Sequence, residues 1–598
     1  MSLTCTVREG CKGRRSDSRR GHRVAKQTGA AARHRRLRFE LLEDRRLLAS
    51  FLVSNTLDDG SAGSLRWAVD QANGSAGADE ITFALSLFSA SQTIPLDPAR
   101  GQIAFTDTSK TTLRGPAAEL LQVHGNRATR VFYVEIGALV DISGLTVTGG
   151  QVASPGGAGI LNAGTLTVDR CWIVNNRLES PNATGSGAGI ANQPGATTNV
   201  VDSTISGNYS NGAFGGGLAN RGSMTVTRST VSGNTQSRSP GGGLFNSGSL
   251  TIINSTISGN SGSAQGGGIF SYNSGVSLLH TTLTANSDPQ IYVFGSFTTK
   301  NSIIHGSTNG TIDDQGHNLI GINPVLGPLQ DNGGPTWTHA PAWNSPAIDA
   351  GDNTGAPATD QRGVPRPQNG LVDIGAYEAM PDFGDAPVSY GTTLANNGAR
   401  HLIRPGFHLG PSVDGEPDGQ PDAGASGDDN NRFFLSGGDD ENGVTFNHPS
   451  LLPGSTSMVT IQVTDSGGSG GYVDAWIDFD GSGTWEGDEK VLASQPVVAG
   501  YNTFPFPVPP QGEIQLGPTF ARFRLSSTGN LSPHGLAPDG EVEDYQISIE
   551  EFPTAIDYGD APSPYATLAS DEGAAHAILV GFHLGVCVCI SGPFGVNL

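Results

Sequence analysis

The 598-residue chain is poor in cysteine, charged residues and aromatic residues, and it contains no long apolar run. Five cysteines, of which only Cys171 lies away from the ends, do not form a disulfide framework. A content of 15% charged and 7% aromatic residues is unlike that of a helical or coiled-coil protein. Because no stretch of about 18 apolar residues occurs, no transmembrane helix is predicted. The 85 glycines favour short strands joined by tight turns.

Charge is distributed unevenly along the sequence. Residues 1–50 carry 14 basic and 5 acidic residues, a net of +9, whereas the other 548 residues carry 20 and 51, a net of −31. The net negative charge of residues 51–598 repels nucleic acid and attracts cations, so no nucleic-acid partner is expected. The basic segment 1–50 is interpreted as a largely disordered targeting segment, and cytosolic retention is the alternative to export.

A repeat with a fixed period is the strongest feature of the sequence. A short apolar segment ending in Asn recurs, and its central residues are Val147, Ile173, Ile205, Val231, Ile257 and Leu283. These residues are 26 positions apart except for one spacing of 32, which predicts a six-residue insertion near 177–186. Glycine-rich motifs of the GAGI or GGGL type recur between the segments.

A unit of 26 residues with two or three short strands cannot bury its own apolar side. Stacked units would cover one another, with Ile and Val inside and ladders of Ser, Thr or Asn at the bends. The Asn positions tolerate left-handed backbone geometry and can hydrogen-bond along the stack. We therefore predict an all-β protein with a capped right-handed parallel β-helix over 51–380. A β-propeller is the alternative, although its blades need roughly 40–45 residues.

Both ends of such a stack must be covered. The segment 63–73 predicts an N-terminal cap helix, because four apolar residues fall on one of its faces: Leu65, Ala68, Val69 and Ala72. The other end carries SPAIDAG, DQRG and DIGAYE within 332–378. Its acidic residues are expected to make hydrogen bonds within this cap: Asp349, Asp360, Asp373 and Glu378.

These tail motifs, with the GSLR start and the GGG[IL] and SGN repeats, resemble bacterial surface β-helix proteins. The resemblance is to the polymorphic outer-membrane-protein and choice-of-anchor types of the pectin-lyase-like superfamily. The string FELLEDRRLLA at 39–49 resembles the leader of planctomycete-type extracellular proteins, which implies export.

Polysaccharide-cleaving β-helices require carboxylates that cluster on neighbouring turns. Asp141, Asp169 and Asp202 lie six, four and three positions before the central residue of their units, so they are not predicted to stack. The basic residues of this region are also interpreted as scattered: Arg170, Arg221 and Arg228. We therefore expect no catalytic residues. A polysaccharide lyase or glycoside hydrolase acting in the β-helix groove is the alternative.

The C-terminal part contains a module whose first residues occur twice in the sequence. Residues 382–410 align without gaps with 557–585, at an offset of 175 and with 16 identities in 29 positions. Alternating strands and turns predict a β-sandwich over 381–550. The match ends after Gly585, and roughly 40 residues are too few for a core, so 551–598 is interpreted as a truncated or frame-shifted second copy.

One loop of the module, DFDGSGTWEGDE at 478–489, fits the twelve-residue calcium loop position by position. Its candidate ligands are Asp478, Asp480, Ser482, Thr484 (through its carbonyl), Glu486 and Glu489. Hard oxygen donors at this spacing converge on one cation, so structural calcium is expected, with a plain acidic turn as the alternative.

Three other acidic runs, 413–429, 437–444 and 538–547, fit solvated loops and metal binding equally well. Residues 382–549 carry 23 acidic and 6 basic residues, and loops this negative repel one another unless cations neutralise them. The string PDGEVEDY, with DFGDAP and WIDFDGSG, resembles the GEVED domain, an accessory β-sandwich of secreted bacterial proteins. That resemblance implies adhesion or spacing rather than catalysis.

These features together predict an exported, non-catalytic protein of the cell surface or extracellular matrix. We expect a monomer in which a β-helix rod and a calcium-stabilised sandwich contact extracellular glycans or surface proteins.

Overall fold

The computed structural model describes residues 49–153, 156–179, 187–212, 214–263, 265–427 and 441–551, and the backbone of two strands, Ile556–Tyr558 and Ala575–Ala577. Nearly all of the predicted leader and most of the second module lie outside the described residues. Two α-helices occur in the described part, Leu65–Gly74 and Leu85–Phe88. Neither of them is long and apolar enough to cross a membrane.

Residues 49–320 form a parallel β-helix with three sheets, which confirms the predicted fold. Sheet 1 has 18 strands: Ala49–Val53, Asp79–Phe83, Ile103–Phe105, Lys110–Arg114, Phe132–Val134, Leu139–Ser143, Ile160–Asn162, Thr165–Asp169, Ile190–Asn192, Thr197–Val201, Leu218–Asn220, Ser223–Thr227, Leu244–Asn246, Ser249–Ile253, Ile269–Tyr272, Val276–Leu279, Ile291–Lys300 and Thr308–Asp314. Sheet 2 has 10 strands: Gln92–Pro95, Leu121–His124, Thr146–Thr148, Trp172–Val174, Thr204–Ser206, Thr230–Ser232, Thr256–Ser258, Thr282–Thr284, Ile303–Ile304 and Leu319–Ile320. Sheet 3 has four: Gln151–Val152, Arg177–Leu178, Tyr209–Ser210 and Thr235–Gln236.

The stacking follows the period of the sequence. The central residues of the repeat pair directly with one another in sheet 2, and Ile173 is in register with Val147 on one side and Ile205 on the other. All six of these central residues are fully buried in one continuous apolar core. Each turn therefore supplies one wall of the core for the next turn, which a lone 26-residue unit cannot do.

The six-residue insertion is divided between two places. The segment from Arg177 to Ile190 is four residues longer than its counterpart in the next turn, and the segment from Ile190 to Thr197 is two residues longer. The prediction near 177–186 is therefore correct for four residues and wrong for the other two. Residues 180–186 of this segment lie outside the described part.

Two buried asparagine ladders run along the stack. In the predicted ladder each side-chain Nδ2 donates to the Oδ1 of the next residue at 2.8–3.1 Å: Asn176, Asn208, Asn234, Asn260 and Asn286. A second ladder, which the sequence analysis missed, has distances of 2.8–2.9 Å: Asn162, Asn192, Asn220 and Asn246. The left-handed backbone position is the residue before each member of the first ladder, as at Gly233 with φ +61°.

The cap helix is confirmed. Helix Leu65–Gly74 begins after Ser64, whose hydroxyl accepts a hydrogen bond from the Trp67 amide at 3.2 Å. Its four predicted apolar residues are fully buried against the first strands. They therefore continue the core of the stack at its N-terminal end.

The segment 326–378 folds back over the outer face of sheet 2. A hairpin of Leu326–Gln330 and Thr338–Pro341 begins it. Gln361 then donates to the Thr230 hydroxyl at 2.9 Å, and the amide of Ala376 donates to the Thr282 hydroxyl at 3.0 Å. This tail therefore packs along the side of these turns, whereas the sequence analysis predicted a cover over the open end of the stack.

The module that follows consists of two antiparallel sheets and one mixed sheet. One antiparallel sheet contains Phe407–Leu409, Val444–Phe446, Thr456–Asp465 and Gly500–Pro507. The other contains Lys490–Val497, Gly471–Ile477, Gly517–Ser526 and Glu541–Ile549. The mixed sheet has three strands: Pro381–Phe383, Arg400–Leu402 and Leu536–Ala537. The described part of the module also contains three 3-10 helices: Val388–Tyr390, Leu394–Asn396 and Gly487–Glu489.

The two four-stranded sheets share one apolar core, in which Val459 and Ile461 of one sheet and Val473 and Phe523 of the other are all buried. This arrangement is the predicted β-sandwich. The start of the module also recurs structurally, because Asp382 pairs with His401 and Asp557 pairs with His576 in antiparallel strand pairs.

Candidate functional site

The loop at 478–489 brings three carboxylates together. It connects strand Gly471–Ile477 to strand Lys490–Val497 and ends in the 3-10 helix Gly487–Glu489. One carboxylate oxygen each of Asp478, Asp480 and Glu489 lies within 4.8 Å of the other two. Asp478 and Glu489 are buried, and Asp480 is exposed to solvent.

Backbone amides of the loop hold Asp478 in place. Its Oδ1 accepts hydrogen bonds from Gly481 at 2.7 Å and from Ser482 at 3.1 Å. Its Oδ2 accepts from the Gly483 amide at 2.9 Å and from the Tyr390 hydroxyl at 2.6 Å. The loop can turn this tightly because Gly481 and Gly483 adopt φ values of +69° and +80°.

Glu489 closes the loop from its other end. Its Oε1 accepts the Phe479 amide at 2.8 Å and its Oε2 accepts the Glu486 amide at 3.0 Å. Burial raises the pKa of Glu489 to about 8, and the nearby Asp478 carboxylate adds to the effect. Such a carboxyl is costly to ionise until a cation compensates its charge.

The other three predicted ligands form a network of their own. The Ser482 hydroxyl lies 3.2 and 3.3 Å from the two carboxylate oxygens of Glu486. The Thr484 hydroxyl donates to Glu486 at 2.6 Å and is the main cause of the lowered pKa of that carboxyl. The structure thus gathers Asp478, Asp480 and Glu489, while Ser482, Thr484 and Glu486 lie beside them and bond to one another.

The donor set fits a hard divalent cation. Three carboxylates supply oxygen ligands on a loop whose backbone amides already fix their orientation, and calcium binds six to eight oxygens in such loops. Calcium is large enough for ligands held by a turn of this kind, whereas magnesium demands stricter octahedral geometry.

The three candidate carboxylates of the β-helix, Asp141, Asp169 and Asp202, are each engaged in a separate ion pair. Asp141 pairs with Lys110 at 2.5 Å, and Asp169 pairs with Arg170 at 2.7 Å. In sheet 1 Asp141 is in register with Thr167, two positions before Asp169, so these carboxylates do not stack, as predicted.

The interpretation of the arginines as scattered was wrong in part. Arg170, Asp202 and Arg228 occupy one column of left-handed turn residues, with φ values of 46–48°, and their amides donate to equivalent carbonyls of the next turn. Arg228 binds Asp202 through two bonds of 2.7 and 2.8 Å. The equal offset of three positions before the central residue could have revealed this column. Arg221 lies outside it.

The acidic residues of the tail make the predicted cap hydrogen bonds. Asp360 accepts the amides of Arg362, Val364 and Glu378 at 2.8–3.0 Å. Asp373 accepts the amides of Asp349 at 2.7 Å and Ala379 at 2.6 Å. These carboxylates are buried structural groups that hold the tail together.

The run 538–547 is not a solvated loop, so that interpretation was wrong. Most of it lies in strand Glu541–Ile549, and its acidic side chains are buried: Asp539, Glu541, Glu543 and Asp544. Asp544 binds Arg522 of the neighbouring strand, and Glu543 accepts the Gly443 amide at 2.8 Å. The one signal in the sequence is the apolar Val542 between Glu541 and Glu543. Of the other two runs, 428–429 and 437–440 lie outside the described residues.

Comparison with known proteins identifies the class of this module. The GEVED domain family matches residues 472–548, which contain the 478–489 loop and the buried acidic strand. The match covers the second half of the sandwich and none of the β-helix. No curated protein and no solved structure matches the chain.

Proposed function

We propose that this protein is an exported, non-catalytic scaffold of the cell surface or extracellular matrix, in which calcium at 478–489 stabilises the sandwich. The observation that carries the proposal is the convergence of Asp478, Asp480 and Glu489 within a GEVED-type domain joined to a β-helix. Asp478 and Glu489 would hold the ion from within the domain and Asp480 from the solvent side. The ion would neutralise carboxylates that otherwise repel one another.

The β-helix supports a structural role. Its outward positions carry mostly Ser and Thr, and Asp141, Asp169 and Asp202 each pair with a different basic residue. An acid and a base that act on one glycosidic bond must face the same bond, whereas these three carboxylates are each bound to a basic partner of their own. The rod would instead position binding surfaces for glycans or surface proteins, with the chain acting as a monomer.

The location of the protein in its native cells tests the proposal. We expect the protein in the culture medium or envelope fraction, and an intact chain without residues 1–48 in the cytosol. Purified protein should release no unsaturated or reducing ends from pectin or alginate, with or without calcium. Robust cleavage of either polymer, or a cytosolic full-length chain, would contradict the proposal.

A further inference from the structure

One outward position of sheet 2 carries a tryptophan where its neighbours carry threonine. Trp172 is in register with Thr146 on one side and Thr204 on the other, and threonine continues through Thr230 and Thr256. The indole is 36% exposed although Ile173 beside it is fully buried. Core packing therefore does not require a tryptophan here.

Other segments cover this column on both sides of Trp172. The Thr146 hydroxyl donates to the carbonyl of Ala118, at 2.7 Å, in the loop before strand Leu121–His124. The Thr230 hydroxyl donates to the carbonyl of Trp337, at 2.6 Å, where the tail begins to cover the sheet. Trp172 and the half-buried Thr204 are left between these two covers.

The gap between the covers is a groove. Two strand spacings separate Trp172 from Thr230, which is roughly 10 Å across. The groove has a volume of about 380 Å³, and its walls include Glu119, Ser143, Arg170, Asp202 and Pro335. Trp337, which is 56% exposed, lies on the tail side. A gap of this width admits a single sugar chain.

The charges of the groove are balanced although the body of the protein is strongly acidic. Arg114 and Arg170 line the groove with Glu119 and Asp202. Three of these groups have ionic partners: Arg170 pairs with Asp169 at 2.7 Å, Asp202 with Arg228 at 2.7 Å and Arg114 with Glu80 at 3.2 Å. A charged polymer would be attracted by some groups of the groove and repelled by others. A neutral polymer would find hydrogen-bond donors and acceptors that are already positioned. An exposed indole with a few convergent polar groups is the usual composition of a small-ligand site.

We propose that this groove binds a strand of neutral glycan, with one pyranose ring stacked on the Trp172 indole. Sugar hydroxyls hydrogen-bond to the Arg170 guanidinium and the Asp202 carboxylate, and the chain continues toward Trp337. This inference rests on the proposed function and deepens it, because it names the ligand class and the binding surface.

Isothermal titration calorimetry on the full chain tests the groove, with cellohexaose, xylohexaose and mannohexaose as neutral probes and hexagalacturonate as the anionic one. The variant Trp172→Thr restores the residue found in the adjoining strands, so the fold is preserved. Tyr272→Ala removes an aromatic side chain that is 51% exposed on another sheet and is the matched control. We expect at least one neutral probe to bind, a Kd at least tenfold higher for Trp172→Thr, and no change for Tyr272→Ala.

Three results would overturn the inference: no binding of any neutral probe, equal binding by wild type and Trp172→Thr, or a preference for hexagalacturonate. None of these results changes where the protein is found or whether it cleaves polymers. A negative result for glycan binding in the groove can therefore be distinguished from a negative result for the proposed function.

Discussion

Arg522 and Asp544 form a two-bond ion pair inside the sandwich, with both N–O distances at 2.7 Å and both side chains fully buried. They face each other on adjacent antiparallel strands, in register. Asp544 also accepts the Ala386 amide at 2.8 Å, so the pair joins the start of the module to its last strand. The acidic motif of this strand therefore stabilises the interior of the domain.

Replacing Asp544 by Asn should strongly destabilise the sandwich. The substitution leaves the Arg522 guanidinium buried without a counter-charge, which costs about 3–5 kcal/mol of unfolding free energy. Urea unfolding monitored by tryptophan fluorescence measures this loss. The control is Asp141→Asn, which breaks the more exposed pair with Lys110 and should cost about 1 kcal/mol or less. Equal losses in the two variants would contradict the structural role of the buried pair.

The first asparagine ladder should carry much of the stability of the β-helix. Asn234→Ala removes the acceptor of the Asn208 backbone amide, one of the two acceptors of the Asn208 side-chain amide, and a donor to the Ile205 carbonyl, all in the interior. Each unsatisfied buried group costs about 1–3 kcal/mol, so we expect a loss of at least 2 kcal/mol in urea unfolding. Asn199→Thr, at a partly exposed position flanked in register by Thr167 and Thr225, should be nearly neutral. A neutral Asn234→Ala would show that the ladder is dispensable.

Lowering the pH should reduce the stability of the tail, residues 326–378, through the protonation of His280. This imidazole accepts a hydrogen bond from Asn301 at 2.8 Å, and burial, with the nearby Arg366, lowers its pKa to about 3. Unfolded histidine titrates near 6.5, so between that pH and about 3 the unfolded state binds a proton that the folded state does not. The stability from this group is present above pH 6.5 and falls by about 1.4 kcal/mol for each pH unit below it.

The variant His280→Asn isolates this contribution, because Asn254 and Asn301 occupy the same left-handed column in the adjacent turns. Thermal unfolding from pH 7.5 to 5 should show a smaller loss of Tm in this variant than in wild type. The exposed His448→Asn should follow wild type. Parallel curves for all three proteins would rule out the assigned role of His280.

The sequence predicted the β-helix because its period alone determines which residues are stacked. Val147, Ile173 and Ile205 could be placed in one column from spacing, and so could Arg170 and Asp202 had their equal offsets been compared. The position of the insertion was only partly predictable, since the repeat shows which turn contains the added residues but not where they lie within it.

The sandwich was less predictable for a physical reason. The carboxylates of 538–547 are paired with groups more than 15 residues away in sequence, such as Arg522 and Gly443, and no local pattern reveals those partners. The 478–489 loop was easier, because nearly all bonds that orient Asp478 and Glu489 come from the loop itself. The role of Trp172 depends on what covers its neighbours, which only the folded tail determines.

Calcium binding at the 478–489 loop is the most direct test of the account. Differential scanning calorimetry should show a rise in the Tm of the sandwich when calcium replaces a chelator, because a ligand at 100 times its Kd adds about 2.7 kcal/mol of stability. Asp480→Asn should abolish most of that rise and weaken binding at least tenfold by titration calorimetry. Asp488→Asn, which makes the same charge change outside the carboxylate group, should keep both. A Tm that is the same in calcium and chelator, or equal binding by the two variants, would contradict a calcium-stabilised scaffold.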